Sequence, residues 1–329
     1  MKGTFTISLD FELHWGGFEK WDAEEYRTYF LNTRKAIPEM LKLFAGFDVH
    51  VTWATVGILF YDSIEQLNEN IPDQKPSYRE LQLSVYEYIR THGIGTTEEV
   101  DPLHFARSLV KQIASTPNQE IGSHTFGHYY CNEEGQTIDQ FFADLQAAQR
   151  SAQTIGRRLS ALVFPRNQFN DEYLKACYDA GFRAVRSNPQ DWFWNIQTRQ
   201  ETFWKRLNRG LDAYFPIGNK NTFPLSSLTV RKGFPVCIPA SRLLRPYRPQ
   251  EVILNTFKIS RIKSEMTRAA KSGECYHLWW HPHNFGHFPV ENLRDLKVIL
   301  EHFAYCRDKY GMESCSMTEI AERLLHEPV

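Results

Sequence analysis

Phe5-Thr6-Ile7-Ser8-Leu9-Asp10-Phe11-Glu12 is the stretch that speaks most clearly about architecture. Phe5 to Leu9 is a short apolar run of the kind that forms a strand inside a parallel sheet, and Asp10 stands at its C-terminal end. Side chains two apart in an extended segment point to one face, so Asp10 and Glu12 project together. Two carboxylates on one face are costly unless a cation or an arginine compensates them. Taken alone, the pair would also suit an exposed strand end.

The same arrangement recurs along the chain. Thr33 to Phe44 is a predicted helix with Ile37, Met40, Leu41 and Phe44 on one face, and Val49 to Val56 a second strand. Further strands are expected at Gln119–Ser123, Leu162–Phe164, Ala184–Arg186 and Cys275–Trp280. Helices are expected at Asp139–Leu159, Asp171–Ala180 (closed by Gly181), Gln250–Ala270 in one or two pieces, Val290–Tyr310 and Thr318–Leu325. Residues from about 61 to 105 are polar and broken by Pro72, Pro76 and Gly93, an excursion from the main body. Residues from about 195 to 250, rich in proline and basic side chains, read as an irregular lid or insertion. Alternating strands and helices predict an α/β fold. Chemically capable residues repeatedly follow a strand, which is where β/α barrels build active sites.

Four more segments carry chemistry. In Glu120-Ile121-Gly122-Ser123-His124-Thr125-Phe126-Gly127-His128, two histidines four apart would share one side of a helical turn and could hold a cation. Two imidazoles and one carboxylate leave room for water, the catalytic rather than structural pattern for zinc. In Val163-Phe164-Pro165-Arg166-Asn167, a guanidinium at a strand end could keep a carboxylate ionised, or simply sit on a loop. Gln190-Asp191-Trp192 sets a carboxylate beside an indole, able to orient a histidine and wall a cleft. His277, His281, His283 and His287 fall within eleven residues at the end of an aromatic strand. A histidine there could protonate a leaving amine, with metal binding by His281 and His283 as the competing assignment. Trp192, His283 and Asn284 are candidates for substrate contact.

Composition narrows the function. With 329 residues, 42% hydrophobic and 23% charged, the chain can form one α/β barrel carrying insertions. The 14% aromatic content exceeds what a core needs and would suit the flat apolar platforms of a sugar cleft, or simply a large core. A net charge of −1 gives no reason to expect nucleic acid. Between Arg199 and Lys271, however, 15 Lys/Arg face 4 Asp/Glu. Such a segment suggests a substrate phosphate, peripheral contact with an acidic membrane, or only a solvated face. Six cysteines without tight spacing read as free thiols of a reducing compartment. The opening residues are too quickly polar for a signal peptide, and no apolar run reaches the ~18 residues needed to span a bilayer. The cytoplasm is therefore the expected location, with membrane association as an option.

The order and spacing of the five elements resemble the polysaccharide deacetylase family, the NodB-homology group of sugar N-deacetylases, from residue 5 to about 290. Its usual motifs are T-F-D-D and H-[ST]-x-x-H, then an arginine with a proline, an aspartate–tryptophan element and a late histidine. The resemblance implies a distorted, incomplete (β/α)7-type barrel with its active site at the C-terminal strand ends. It also implies a single domain over 1–329 with insertions around 61–105 and 195–250, and metal-dependent hydrolysis of an N-acetyl or N-formyl group on a sugar. By that resemblance Asp10 is the catalytic base, and His124 and His128 are metal ligands. His281 is the acid, Arg166 holds the base, and Asp191 tunes the acid. The family's second aspartate would fall at Phe11, which cannot bind a metal; members with D-x-[DE] assign that ligand to Glu12. The third motif reads F-P-R-N instead of R-x-P-[FY]. The expected cofactor is zinc, and the expected substrate a nucleotide- or lipid-linked precursor of surface polysaccharide. The rival functions are hydrolysis of a ureide or imide on the same scaffold, and non-catalytic binding of carbohydrate or lipid.

Overall fold

The structure, a computed structural model, describes residues 2–189 and 221–326. Its strands are β1 (Thr4–Phe11), β2 (Val51–Thr55), β3 (Gln119–Ser123), β4 (Ala161–Leu162), β5 (Ala184–Ser187), β6 (Val236–Pro239), β7 (Arg242–Leu243), β8 (Cys275–Trp280) and β9 (Glu313–Ser314). The helices among the described residues are α1 (Arg27–Phe47), α2 (Ile64–Asn70), α3 (Val85–His92), α4 (Arg107–Ser115), α5 (Ile138–Gln153), α6 (Asp171–Asp179), α7 (Val252–Ser272), α8 (Pro289–Tyr310) and α9 (Met317–His326).

The strands pair in parallel in the order β6-β5-β4-β3-β2-β1-β8-β7. β9 joins β1 at Thr4 and Phe5, just before the β2 ladder starts at Ile7. The two outer strands, β6 and β7, are separated in sequence only by Ala240 and Ser241, so the sheet curls until its edges meet without a ladder between them. The result is the distorted (β/α)7-type barrel expected. β1, every residue of which is buried, lies at its centre because its alternating side chains face apolar neighbours on both sides. Phe5 packs on Phe303 of α8, and Phe11 meets Trp53 edge-on. All strands run the same way, so Asp10, Ser123, Leu162, Ser187 and Trp280 lie at one end of the barrel.

Several expectations change. Residues 236–243 are not insertion: they supply β6 and β7, whose shortness and flanking prolines hide them from a pattern search. The remainder of the 195–250 segment lies outside the described residues up to Lys220. Helix α4 follows directly on the 61–105 excursion and buries Leu109, Val110 and Ile113. α7 is one continuous helix. Two cations of the basic segment are committed inside the fold. Arg242 pairs with Glu265 at 2.6 Å, and buried Lys258, its pKa pushed down to about 8 by burial, donates to the Arg245 carbonyl. The described cysteines are all free, and five of the six are buried.

Candidate active site

β1 delivers both carboxylates to the C-terminal end, each only 3% exposed. Asp10 is gripped by a guanidinium, with both carboxylate oxygens accepting N–H bonds of 2.6 and 2.7 Å. That guanidinium belongs to Arg186, in β5, and not to Arg166. Arg186 stacks over the Trp279 ring at 4.2 Å and donates to Asn167 Oδ1 and Ser8 Oγ, both at 3.2 Å. Ser8 bonds in turn to His277 Nε2 at 2.8 Å, and His277 Nδ1 donates to the Pro239 carbonyl. His277, pushed down to about 3 by burial and by Arg186, is therefore a neutral prop beneath the site. Burial alone would raise the Asp10 pKa, but Arg186, His124 and His281 outweigh it and hold Asp10 below the ordinary carboxylate value.

His124 and His128 do converge on Glu12, but not by way of a helical turn. Residues 124–128 form a loop with Thr125 at φ 62° and His128 at φ 51°, left-handed values uncommon for such residues. Buried Asp144 in α5 imposes the shape by accepting the N–H groups of Phe126 and Gly127 at 2.6 and 2.9 Å. Burial raises the Asp144 carboxyl to about 7 despite those two bonds. Ser123 Oγ accepts from Thr125 N, and Thr125 Oγ1 from Tyr129 N. Such local strain persists where surrounding bonds over-determine it, commonly at functional sites.

Glu12 Oε2 lies 3.2 Å from His124 Nε2 and 3.0 Å from His128 Nε2. His124 Nδ1 faces the Val163 carbonyl at 2.9 Å, which can only accept, so Nδ1 carries the hydrogen and Nε2 keeps its lone pair. His128 Nδ1 has the Tyr130 hydroxyl at 3.0 Å, which can hold it in the same tautomer. With both rings neutral, three lone-pair atoms point at one another from buried side chains, which leaves a place for a proton or a metal cation between them. Two nitrogens and one oxygen, all within 4.8 Å, fit a divalent cation with positions to spare. Carbonyl and hydroxyl partners behind the imidazoles are the usual outer support of such a centre. Burial would raise the Glu12 pKa, yet His281, His124 and His128 bring it well below the ordinary value.

The other expected residues divide. His281, with 28% of its side chain exposed, places Nε2 at 3.6 Å from Asp10 Oδ2 and 3.7 Å from Glu12 Oε1, at the mouth of the site. His283 is buried instead of lining a cleft. It is boxed by Trp21, Tyr29 and Phe30, and its Nδ1 stands 3.7 Å from Glu12 Oε1. That nitrogen has no hydrogen-bond partner among the described residues. His283 thus lies beside the Glu12 carboxylate and not on a cleft wall. Asn284 is half-buried and closes the turn after His281 through its backbone N–H, at 2.9 Å from the His281 carbonyl. Arg166 bonds Glu19 and Glu133 and covers the Tyr130 ring at 3.9 Å, so it braces the His128 side of the site. It cannot hold Asp10 from there. Asp191 and Trp192 lie outside the described residues.

Residues 32–185 match the family model described as polysaccharide deacetylase. Over that span the chain is similar to polysaccharide deacetylases. The matched span contains His124, His128, Asp144 and Arg166, whereas Asp10, Glu12, Arg186 and His281 are joined to the site by geometry. No curated protein matches the sequence. Among solved structures, a Mycobacterium smegmatis protein assigned as a polysaccharide deacetylase is similar at TM-score 0.61 and 14% identity, covering 98% of this chain and 91% of that one. A Pseudomonas aeruginosa PAO1 protein with the same assignment is similar at TM-score 0.58 and 11% identity, over 98% and 91%. The PuuE allantoinase is similar at TM-score 0.55 and 11% identity, over 99% and 91%. At such identities the likeness concerns the fold.

Of the residues that build this site, the sequence pattern did not single out Arg186, Asp144 and Tyr130. Arg186 carried a usable signal: an arginine within an apolar strand facing a closed barrel needs a buried anion, and Asp10 is one. Asp144, a lone acid on the apolar face of α5 between Phe141 and Leu145, carried another. Tyr130, two residues beyond His128, had none apart from its nearness.

Proposed function

We propose that the protein hydrolyses the N-acetyl group of an acylated sugar with the help of a divalent cation, zinc by its donor set, held by Glu12, His124 and His128. The observation that carries this reading is the placement of an arginine-clamped Asp10 beside that donor set, with His281 reaching both carboxylates from the open side. A bound cation supplies Lewis acidity toward the acyl carbonyl and makes nearby water more acidic. Asp10, kept ionised by Arg186, takes one proton from the water as its oxygen bonds to the acyl carbon. His281 gives a proton to the sugar nitrogen as the C–N bond breaks, so acetate and a free amine leave. Asp10 is buried beside the cation donors and His281 is partly exposed 3.6 Å from it, which suits one to act on water and the other on the leaving group. The similarity to polysaccharide deacetylases supports a carbohydrate as substrate.

Release of acetate from N-acetylated chito-oligosaccharides and N-acetyl sugar nucleotides, and of formate from N-formyl sugar nucleotides, tests the proposal. Asp10→Asn and His281→Ala should each lower turnover by roughly 10²–10⁴-fold while zinc content is kept. A chelator should abolish activity, and zinc should restore it. Full turnover by His281→Ala would refute the acid assignment, and turnover unaffected by chelation would refute the whole reading.

A further inference from the structure

Glu12 reaches the two histidines by an unusual route. Directly after it the chain enters a 3-10 turn, Leu13–Gly16, which starts from Leu13 at φ 46° and is closed by Trp15 N donating to the Glu12 carbonyl at 3.0 Å. The turn folds the backbone of Gly16 back beneath the Glu12 side chain. A Cβ built on Gly16 would overlap Oε1, Cδ and Cγ of Glu12, Cγ at 2.7 Å and the other two closer still. The three nearest atoms to that carbon all belong to this one side chain. Gly16 lies outside the left-handed φ range, so its backbone conformation is open to any residue and only the space is special.

The carboxylate has nowhere else to go. Oε1 also has His281 Nε2 and His283 Nδ1 at 3.7 Å, and His283 is packed against Trp21, Tyr29 and Phe30. Trp21 is itself seated on the adjacent Gly17, where a Cβ would meet its ring at 2.5 Å. Oε2 meanwhile is committed to His124 and His128. A glutamate has one more rotatable bond than an aspartate, so it needs a firmer seat to present one oxygen in a fixed place.

We propose that Gly16 is a positioning residue of the cation site: the space left by its missing side chain is what allows a glutamate at position 12 to act as the carboxylate ligand. This rests on the assignment of Glu12, His124 and His128 as cation ligands. An alanine at position 16 swings the carboxylate away from the histidines and weakens the site without replacing any ligand.

Zinc affinity of the purified full chain, measured by competition with a chromophoric chelator, tests this in a double-mutant cycle. Gly16→Ala should weaken zinc binding by roughly 10–100-fold, the range for residues that orient ligands. In a Glu12→Ala background the same change should have no further effect, because the side chain it displaces is gone. Equal affinity of wild type and Gly16→Ala, or an equal loss in both backgrounds, would overturn the role of Gly16 while leaving the ligand assignment intact. Wild-type protein that binds no zinc would overturn both. If Gly16→Ala alone does not fold, the double variant must regain the wild-type circular dichroism spectrum; a double variant that stays unfolded also overturns the proposal.

Discussion

The two ends of the barrel use the same residue types in opposite ways. At the N-terminal strand ends, Glu120 of β3 accepts hydroxyl hydrogens from Thr52, at 2.6 Å, and Thr318. There His50 bonds Glu319 at 2.7 Å, and Glu319 also accepts from Ser316 N while Ser316 Oγ accepts from Glu319 N, which caps α9. The carboxylate oxygens of Glu120 and Glu319 there each face a donor. At the C-terminal strand ends, one oxygen of Glu12 faces the Nε2 atoms of two imidazoles at once, and His283 Nδ1 has no hydrogen-bond partner among the described residues. Buried polar groups are ordinarily satisfied within the protein, so groups left facing one another mark the end where something else binds. Polarity alone does not separate a functional end from a structural one; the pairing of donors with acceptors does.

The largest effect expected is at Arg186. Arg186→Ala leaves the Asp10 carboxylate buried and uncompensated, which should cost about 3–5 kcal/mol of stability in urea melts. The Asp10 pKa is depressed in the fold. Its contribution is therefore present above the ordinary carboxylate value and lost as pH falls through the lowered one. The deficit of the variant should shrink over that acidic window. A loss at Arg186 no greater than that at His50 would erase the contrast between the ends.

Next comes a matched pair of substitutions. With zinc at a hundredfold excess over its dissociation constant, binding should stabilise the wild type by roughly 2.7 kcal/mol, read as a rise in Tm. Glu12→Gln should abolish that rise, and Glu120→Gln should keep it. Burial raises the Glu120 pKa and so already favours a neutral group there. A smaller effect is expected at Asp144. Phe126 N and Gly127 N bond separate oxygens of Asp144, and asparagine would set an NH2 donor against one of them, so Asp144→Asn should cost about 1–3 kcal/mol and weaken zinc binding. Unchanged binding in Asp144→Asn would show that the loop holds its shape without that brace.

The smallest effect belongs to the structural end. The hydrogen bond to Glu319 raises the His50 pKa in the fold. Its contribution is full below the ordinary histidine value and disappears as pH rises through the raised one. As the pair is partly exposed, it should be worth less than about 1 kcal/mol. The stability gap between wild type and His50→Gln should close across that window, with turnover unaffected.

Much of this was legible in the sequence. β1, β3 and β8 are apolar runs ending in polar residues, and such runs are read easily. β6 and β7 were not, because Val236–Pro239 and Arg242–Leu243 are short, flanked by prolines, and contain a charged residue whose partner lies in α7. Asp10, Glu12, His124, His128 and His281, singled out from the sequence, come together in one cluster. Their conformations were harder to see. A spacing of four suggested a helical turn for the histidines, whereas Asp144 draws them into a left-handed loop. Arg166 stood out because it sits in a polar motif, and Arg186 was hidden because it sits in an apolar one. In both cases the deciding partner lies far along the chain, where local pattern carries no information.

Anomalous diffraction at the zinc edge, from crystals soaked in zinc, tests the central contrast most directly. One peak should appear within roughly 2.0–2.2 Å of Glu12 Oε2, His124 Nε2 and His128 Nε2, with none at His50 and Glu319. Density confined to His50 and Glu319, or none between Glu12 and the two histidines, would contradict the account.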